Sequence, residues 1–340
     1  MTVSFRYALI IKARYALSIG ATATLLAGCG GSHSLIGAPG AMPQSPALQS
    51  QSAQRDDHSG SWMLPGAKAE DLLYVSNEGH TVKVYTYPKG TRVGTLSGFQ
   101  QAQGECTDFA GDVFITDYAT DKITEYVHGS VKPVRSLLDP QQGPYGCSVD
   151  YFSGNLCVAN WRNESVSVYA PLKKKPRVYS TKGLVSGIAT CAYNERGDMF
   201  VAGANPSDDI SSFAYLPNGS TQFVIVQPGG SSYMWFGVVS VQWDGKYWEI
   251  AEDRAVRYTV EPNGQAIYKG ETDLSGVFSE AEAWIIQVPG QRALQGRQIV
   301  AANEEVKGSV NYWTYPGGKP IGSIDGIDGP FGVTVSLARH

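Results

Sequence analysis

The sequence predicts an all-β protein, a six-bladed β-propeller of four-stranded antiparallel blades. Three observations carry this: a strand pattern that recurs through the chain, a composition suited to turns, and an unmatched strand at each end of the repeats. The pattern is Leu73-Tyr74-Val75-Ser76-Asn77, Val113-Phe114-Ile115-Thr116-Asp117, Leu156-Cys157-Val158-Ala159-Asn160 and Met199-Phe200-Val201-Ala202-Gly203, and more loosely Trp248–Glu252 and Ile299–Asn303. It returns every ~40–50 residues, the period of a propeller blade, because one small sheet buries its faces only against its neighbours. Of the 340 residues 39 are glycine, and tyrosine outnumbers phenylalanine 19 to 11, which favours strands broken by turns.

Taken in order, residues 1–29 read as a targeting segment. Arg6, Lys12 and Arg14 precede an apolar run, Tyr15–Ala27, that is too short to span a bilayer. It ends in Leu26-Ala27-Gly28-Cys29, which resembles the bacterial lipobox. The resemblance implies cleavage before Cys29 and lipidation of its thiol, hence an exported protein anchored in the cell envelope. Gly30 rather than aspartate follows the cysteine, which points to the outer membrane or cell surface rather than the inner membrane. Residues 30–65 are Ser, Gln, Ala, Pro and Gly with few large apolar groups, a flexible tether unable to offset the entropy of ordering. Residues 66–340 form the propeller domain.

Within one repeat, Gly146–Tyr169, the residues predict strands at Cys147–Tyr151, Leu156–Ala159 and Ser165–Tyr169, with a turn at Phe152-Ser153-Gly154. Their alternation reads as half-buried. Third strands follow each polar loop at Val82–Tyr87, Ile123–Val127, Val166–Tyr169, Ile210–Tyr215, Val256–Val260 and Val310–Tyr315. The first repeat lacks a first strand, and Pro330–Ser336 is a first strand with nothing after it. Pairing the two closes the ring and removes an open edge. The segments PFGVTVS, YGCSVDYFSGNLCVAN and TVKVY resemble NHL-type repeats, and less closely the YVTN repeats of bacterial surface propellers. The resemblance implies a propeller over about 72–336. Such folds host binding scaffolds, lactonases and lyases alike, so it leaves the chemistry open.

In such a ring the loops after the second strands share a face with those leading into the first strands. That face collects Asp117, Tyr118, Asn160, Trp161, Arg162, Glu252 and Asn303, and the long loop Ser231–Phe236 adds Tyr233 and Trp235. An acidic, aromatic funnel suits a saccharide, a peptide or an envelope protein partner. Asn77, Asp117, Asn160 and Asn303, at equivalent strand ends, also fit the plainer role of capping the next turn. Gluconolactonase-like six-bladed propellers are a distant resemblance, which implies a divalent cation such as calcium held by Glu105, Asn160, Asn303 and Glu252. The residues flanking these four do not match that family, and carboxylates with amide carbonyls suit hard cations in general. No GxSxG or HExxH is present. The net charge of −4, with Lys173-Lys174-Lys175 the longest basic run, argues against nucleic acid. The expected molecule is thus a monomeric binding or scaffolding module needing no cofactor, touching the membrane through its lipid anchor only, with a metal-dependent hydrolase or lyase as the alternative.

Four cysteines follow Cys29. Cys147 and Cys191 each lie three residues before the Asp or Asn that ends a first strand, and Cys106 two before, so Cys106 faces the other way. Cys147 and Cys157 sit in one hairpin, where adjacent antiparallel strands accommodate a disulfide poorly, so buried free thiols are expected.

Overall fold

The computed structural model describes residues 60–77, 80–140, 142–204, 211–229, 240–251, 254–274, 283–286, 297–303 and 308–339. Leu26–Cys29, read above as a lipobox, and most of residues 30–65 lie outside the described residues, as do Tyr233, Trp235 and Glu252. No helix among the described residues is long and apolar enough to cross a membrane.

The chain is all-β, a propeller-like ring of small antiparallel sheets. The first sheet holds β1 (Trp62–Met63), β2 (Leu72–Asn77), β3 (Thr81–Thr86) and β4 (Arg92–Ser97). The second holds β5 (Ala102–Thr107), β6 (Val113–Asp117), β7 (Lys122–Tyr126) and β8 (Pro133–Leu138). The third holds β9 (Pro144–Val149), β10 (Leu156–Asn160), β11 (Ser165–Tyr169) and β12 (Arg177–Ser180). Then come β13 (Ser186–Tyr193), β14 (Met199–Ala204), β15 (Ser211–Leu216), β16 (Val224–Gly229), β17 (Ser240–Trp243), β18 (Trp248–Ala251), β19 (Arg254–Val260) and β20 (Gln265–Asp273). The last sheet holds β21 (Ala283–Ile285), β22 (Arg297–Asn303), β23 (Ser309–Tyr315) and β24 (Pro320–Asp325), and β25 (Pro330–Ser336) follows.

The expected closure is present. β25 pairs antiparallel with β2, Leu73 opposite Val335 and Val75 opposite Val333, so the first sheet reads β1-β4-β3-β2-β25. The end of the closing strand and the residues after it are tied down as well: Ser336 Oγ donates to the Gly111 carbonyl at 2.6 Å, and the Ala338 amide to Asp71 Oδ1 at 2.8 Å. β5, β9, β13, β17, β21 and β25 lie side by side in succession, and β21 adjoins β25.

Three details of the strands depart from expectation. Six separate sheets are not what forms, because β16 and β20 pair in parallel, Gln227 opposite Gln265, and merge two four-stranded runs into one eight-stranded sheet. β20 is nine residues long, and its free edge meets the free edge of β16 where an outer strand would otherwise face solvent. The first strand of the third sheet is β9, not Cys147–Tyr151; Asp150 already begins the turn, its Oδ1 accepting the Phe152 amide at 3.1 Å. And the second strands are buried on both faces rather than half-buried. Leu73 and Val75 enter one apolar cluster while Leu72 and Tyr74 enter another; Phe200 and Ala202 likewise part from Met199 and Val201. Each sheet is sandwiched between two neighbours, so both parities must be apolar.

The inner strands approach one another closely at glycines. A Cβ on Gly104 would strike the Tyr145 carbonyl, one on Gly146 the Ala189 carbonyl, and one on Gly332 the Gln103 carbonyl. These positions take glycine because a neighbouring backbone occupies the space a side chain needs.

The cysteines form two disulfides rather than free thiols: Cys106–Cys147, with Cα atoms 5.7 Å apart, and Cys157–Cys191, 6.4 Å apart. Cys147 and Cys157 are one step out of register, Cys157 opposite Ser148 and Cys147 opposite Val158, so they face opposite sides of their sheet. Cys147 looks back to β5, and Cys157 looks forward to β13. Adjacent sheets meet through opposite faces, so the opposed parity of Cys106 and Cys147 is what allows a bridge between them.

Candidate functional site

The loops that follow β6 and β10 bring Tyr118, Trp161 and Arg162 together. Arg162 lies across the Tyr118 ring, its Cζ 4.1 Å from the centroid, a cation–π contact. Its Nη1 donates to Asp121 Oδ1 at 3.1 Å and its Nη2 to the Tyr118 carbonyl at 3.0 Å. Tyr145 is the hub: it stacks on Trp161 at 5.0 Å between centroids and meets Tyr118 and Phe331 edge-on at 6.2 and 5.4 Å. The edge-on and offset geometries are those the ring quadrupoles favour. Phe331 belongs to the closing strand, so this cluster bridges the first three sheets. Trp161 also rests over Gly187 at the start of β13. Trp161, Tyr118 and Tyr145 are half-buried and Arg162 is exposed. The cluster is therefore a patch with packed roots and an accessible rim.

Beneath it lies a buried polar network. Asn160 Nδ2 donates to Ser165 Oγ at 3.2 Å and Ser167 Oγ at 3.0 Å, and Ser167 Oγ donates to Asp139 Oδ1 at 2.9 Å. Ser165 Oγ and Asn163 Nδ2 both donate to Gln142 Oε1. Burial pushes the Asp139 carboxyl up to about 6, against the opposing hydrogen bond from Ser167.

The strand-ending residues are structural, but not in the way expected. Asp117, 3% exposed, accepts the amides of Gln100 and Gln101 at 3.0 and 2.9 Å; it fastens the loop leading into β5, not the turn after β6. Asn160 bonds side chains rather than backbone. Asn303 is buried at the end of β22, opposite Ser309 in the last sheet, and does not join the cluster around Tyr145. Asp108, Asp150 and Asn194, by contrast, do cap their own turns, Asp108 through the amides of Ala110 and Asp112 and Asn194 through those of Arg196 and Asp198.

For the metal reading, Glu105 is fully buried between β5 and β2, its Oε2 accepting from Ser76 Oγ at 3.3 Å. Asn160 spends only its Nδ2 on two serines, and its Oδ1, the atom a cation would take, is buried without a hydrogen-bond partner. Among the described residues no group of three His, Cys, Asp or Glu could hold a metal ion. Sequence reasoning missed Asp121, Gln142 and Phe331. Asp121 carried a usable signal, being the residue before β7 in a left-handed turn (φ 54°), a conformation aspartate tolerates. No protein-family model matches the chain, and no curated protein matches it either.

Proposed function

We propose that the chain is a six-bladed propeller of the NHL type, exported and lipid-anchored through Cys29, acting as a binding module at the cell envelope. The count of six takes the eight-stranded sheet as two blades, β13–β16 and β17–β20, merged into one sheet by the pairing of their outer strands. The observation that carries the binding reading is the Tyr118–Tyr145–Trp161–Arg162 cluster. It puts three aromatic rings and a guanidinium on one face, with Asp121, Gln142 and Asn163 around it as hydrogen-bonding groups. Aromatic faces edged by polar side chains are how proteins hold saccharides and peptides. Enzymatic use of the same face would need oxygen ligands converging on one point, and among the described residues no group of three His, Cys, Asp or Glu is placed to hold a metal ion.

The test is binding of the full-length protein to immobilised envelope saccharides and peptides, compared with Trp161→Ala and Arg162→Ala. At least a tenfold loss of affinity in both variants supports the reading. Undiminished binding in both, or chelator-sensitive lactone hydrolysis by the unaltered protein, overturns it.

A further inference from the structure

On the opposite face, the turns that join first to second and third to fourth strands carry exposed apolar side chains in one place. Phe109, in the turn between β5 and β6, is 39% exposed. Tyr151 and Phe152, between β9 and β10, are 51% and 68% exposed, and Leu172, between β11 and β12, is 89% exposed. They are contiguous. Phe109 touches Tyr151, the rings of Tyr151 and Phe152 lie 5.3 Å apart edge-on, and Gly154 sits against Pro171, which precedes Leu172. Leu172 holds φ at +61°, a left-handed conformation unfavourable for leucine, so the turn strains its backbone to present an apolar side chain to water.

Charge says what this surface meets. Lys173, Lys174 and Lys175 follow directly and are all exposed, and none has an ion-pair partner among the described residues. Neither Tyr151–Asn155 nor Ala170–Pro176 contains a carboxylate. Asp108 and Asp150, at the bases of two of the turns, are engaged as caps. A stable protein partner would need about 20–30 residues a side. Four apolar side chains on protruding turn tips, beside a lysine run, instead match the pattern by which proteins seat in the interface of a negatively charged bilayer.

We propose that the Phe109–Tyr151–Phe152–Leu172 turns with Lys173–Lys175 form a docking surface for anionic lipid membrane. The apolar tips enter the headgroup layer while the lysines lie against the lipid phosphates, with their stems along the boundary. This contact adds to the lipid anchor at Cys29 and does not depend on it.

The experiment is backbone hydrogen exchange of the full-length protein over residues 150–156 and 170–177. It is run with vesicles of phosphatidylcholine alone and of phosphatidylcholine mixed with phosphatidylglycerol, at low and high salt. Exchange in both segments should slow with the anionic vesicles at low salt only. Replacing all three lysines by glutamine should raise the lipid concentration for half-protection on the order of a hundredfold, from about fivefold per lysine. Leu172→Asn suits the left-handed turn and keeps the fold, and should weaken protection several-fold. Equal protection on both vesicles, or protection that survives the lysine replacement, would mean that only the anchor touches lipid and would overturn the proposal. Equal protection by soluble polyglutamate would overturn it in favour of an acidic macromolecule.

Discussion

From β5 to β16 each sheet is tied to the next by a disulfide, Cys106–Cys147 and then Cys157–Cys191. The junction between β17–β20 and β21–β24 has no such tie among the described residues. It is made by apolar packing around Trp313 and Ile299, and by a buried polar group: Tyr315 Oη donates to Asp244 Oδ2 at 2.6 Å, and Arg297 Nη1 donates to the Asp244 carbonyl. Glu249 faces the same junction, 2% exposed, beside a small cleft lined by Ser240, Gln242, Ala283 and Ile299. Its carboxyl lies beside the Tyr315 hydroxyl, whose proton goes to Asp244. Burial, reinforced by the charge of Asp244, pushes its carboxyl up to about 8. The same burial lowers the Arg297 guanidinium and raises the Tyr315 hydroxyl. One repeat thus supports two kinds of seam, a covalent one indifferent to pH and a polar one that titrates.

The largest break in that contrast is chemical. The bridges close loops with sequence separations of 41 and 34 residues, for which restriction of the unfolded chain predicts about 4 kcal/mol each. Replacing Cys157 and Cys191 together by alanine should lower the unfolding free energy by about 2–4 kcal/mol in denaturant titrations, and reduction of the unaltered protein, which opens both bridges, should lower it further.

The polar seam should answer to pH instead. The folded-state pKa of Glu249 lies above its ordinary value of 4.5, so its contribution is fully present below about 4.5 and is lost as pH rises toward about 8. Asp139 falls in the same sense, but over the lower window ending near 6. From pH 6.5 to 8, stability should therefore decline by up to ~1.4 kcal/mol per unit, and Glu249→Gln should flatten that slope in parallel denaturation curves. A slope unchanged in the variant would remove Glu249 from the account.

The smallest effect belongs to the exposed rim. Arg162→Ala removes a solvent-exposed pair with Asp121 and one cation–π contact, and should cost less than about 1 kcal/mol of stability by thermal unfolding. A larger loss would mean that the cluster around Tyr145 is chiefly a clasp between sheets.

Much of the ring is legible in the sequence because its second-strand pattern recurs at the spacing of a blade. Leu73–Asn77, Val113–Asp117 and Leu156–Asn160 are apolar at both parities, and the unmatched Pro330–Ser336 finds its partner in β2. The outer contact of β16 with β20 was not legible, since edge pairing depends on strand length and backbone geometry more than on side-chain pattern. The disulfides were half-legible. The odd parity of Cys106 is plain in the sequence, but its meaning depends on knowing that neighbouring sheets meet through opposite faces. In the site, Tyr118, Trp161 and Arg162 follow equivalent strand ends and can be found by that position. Phe331 cannot, because it reaches Tyr145 only across the closure, from the far end of the chain.

That closure also sets a timetable. β3 to β24 are all made between β2 and its inner partner, so the edge of β2 stays open until Pro330–Ser336 has left the ribosome. Until then the nascent chain cannot complete its first sheet, and that sheet is the last of the ring to close.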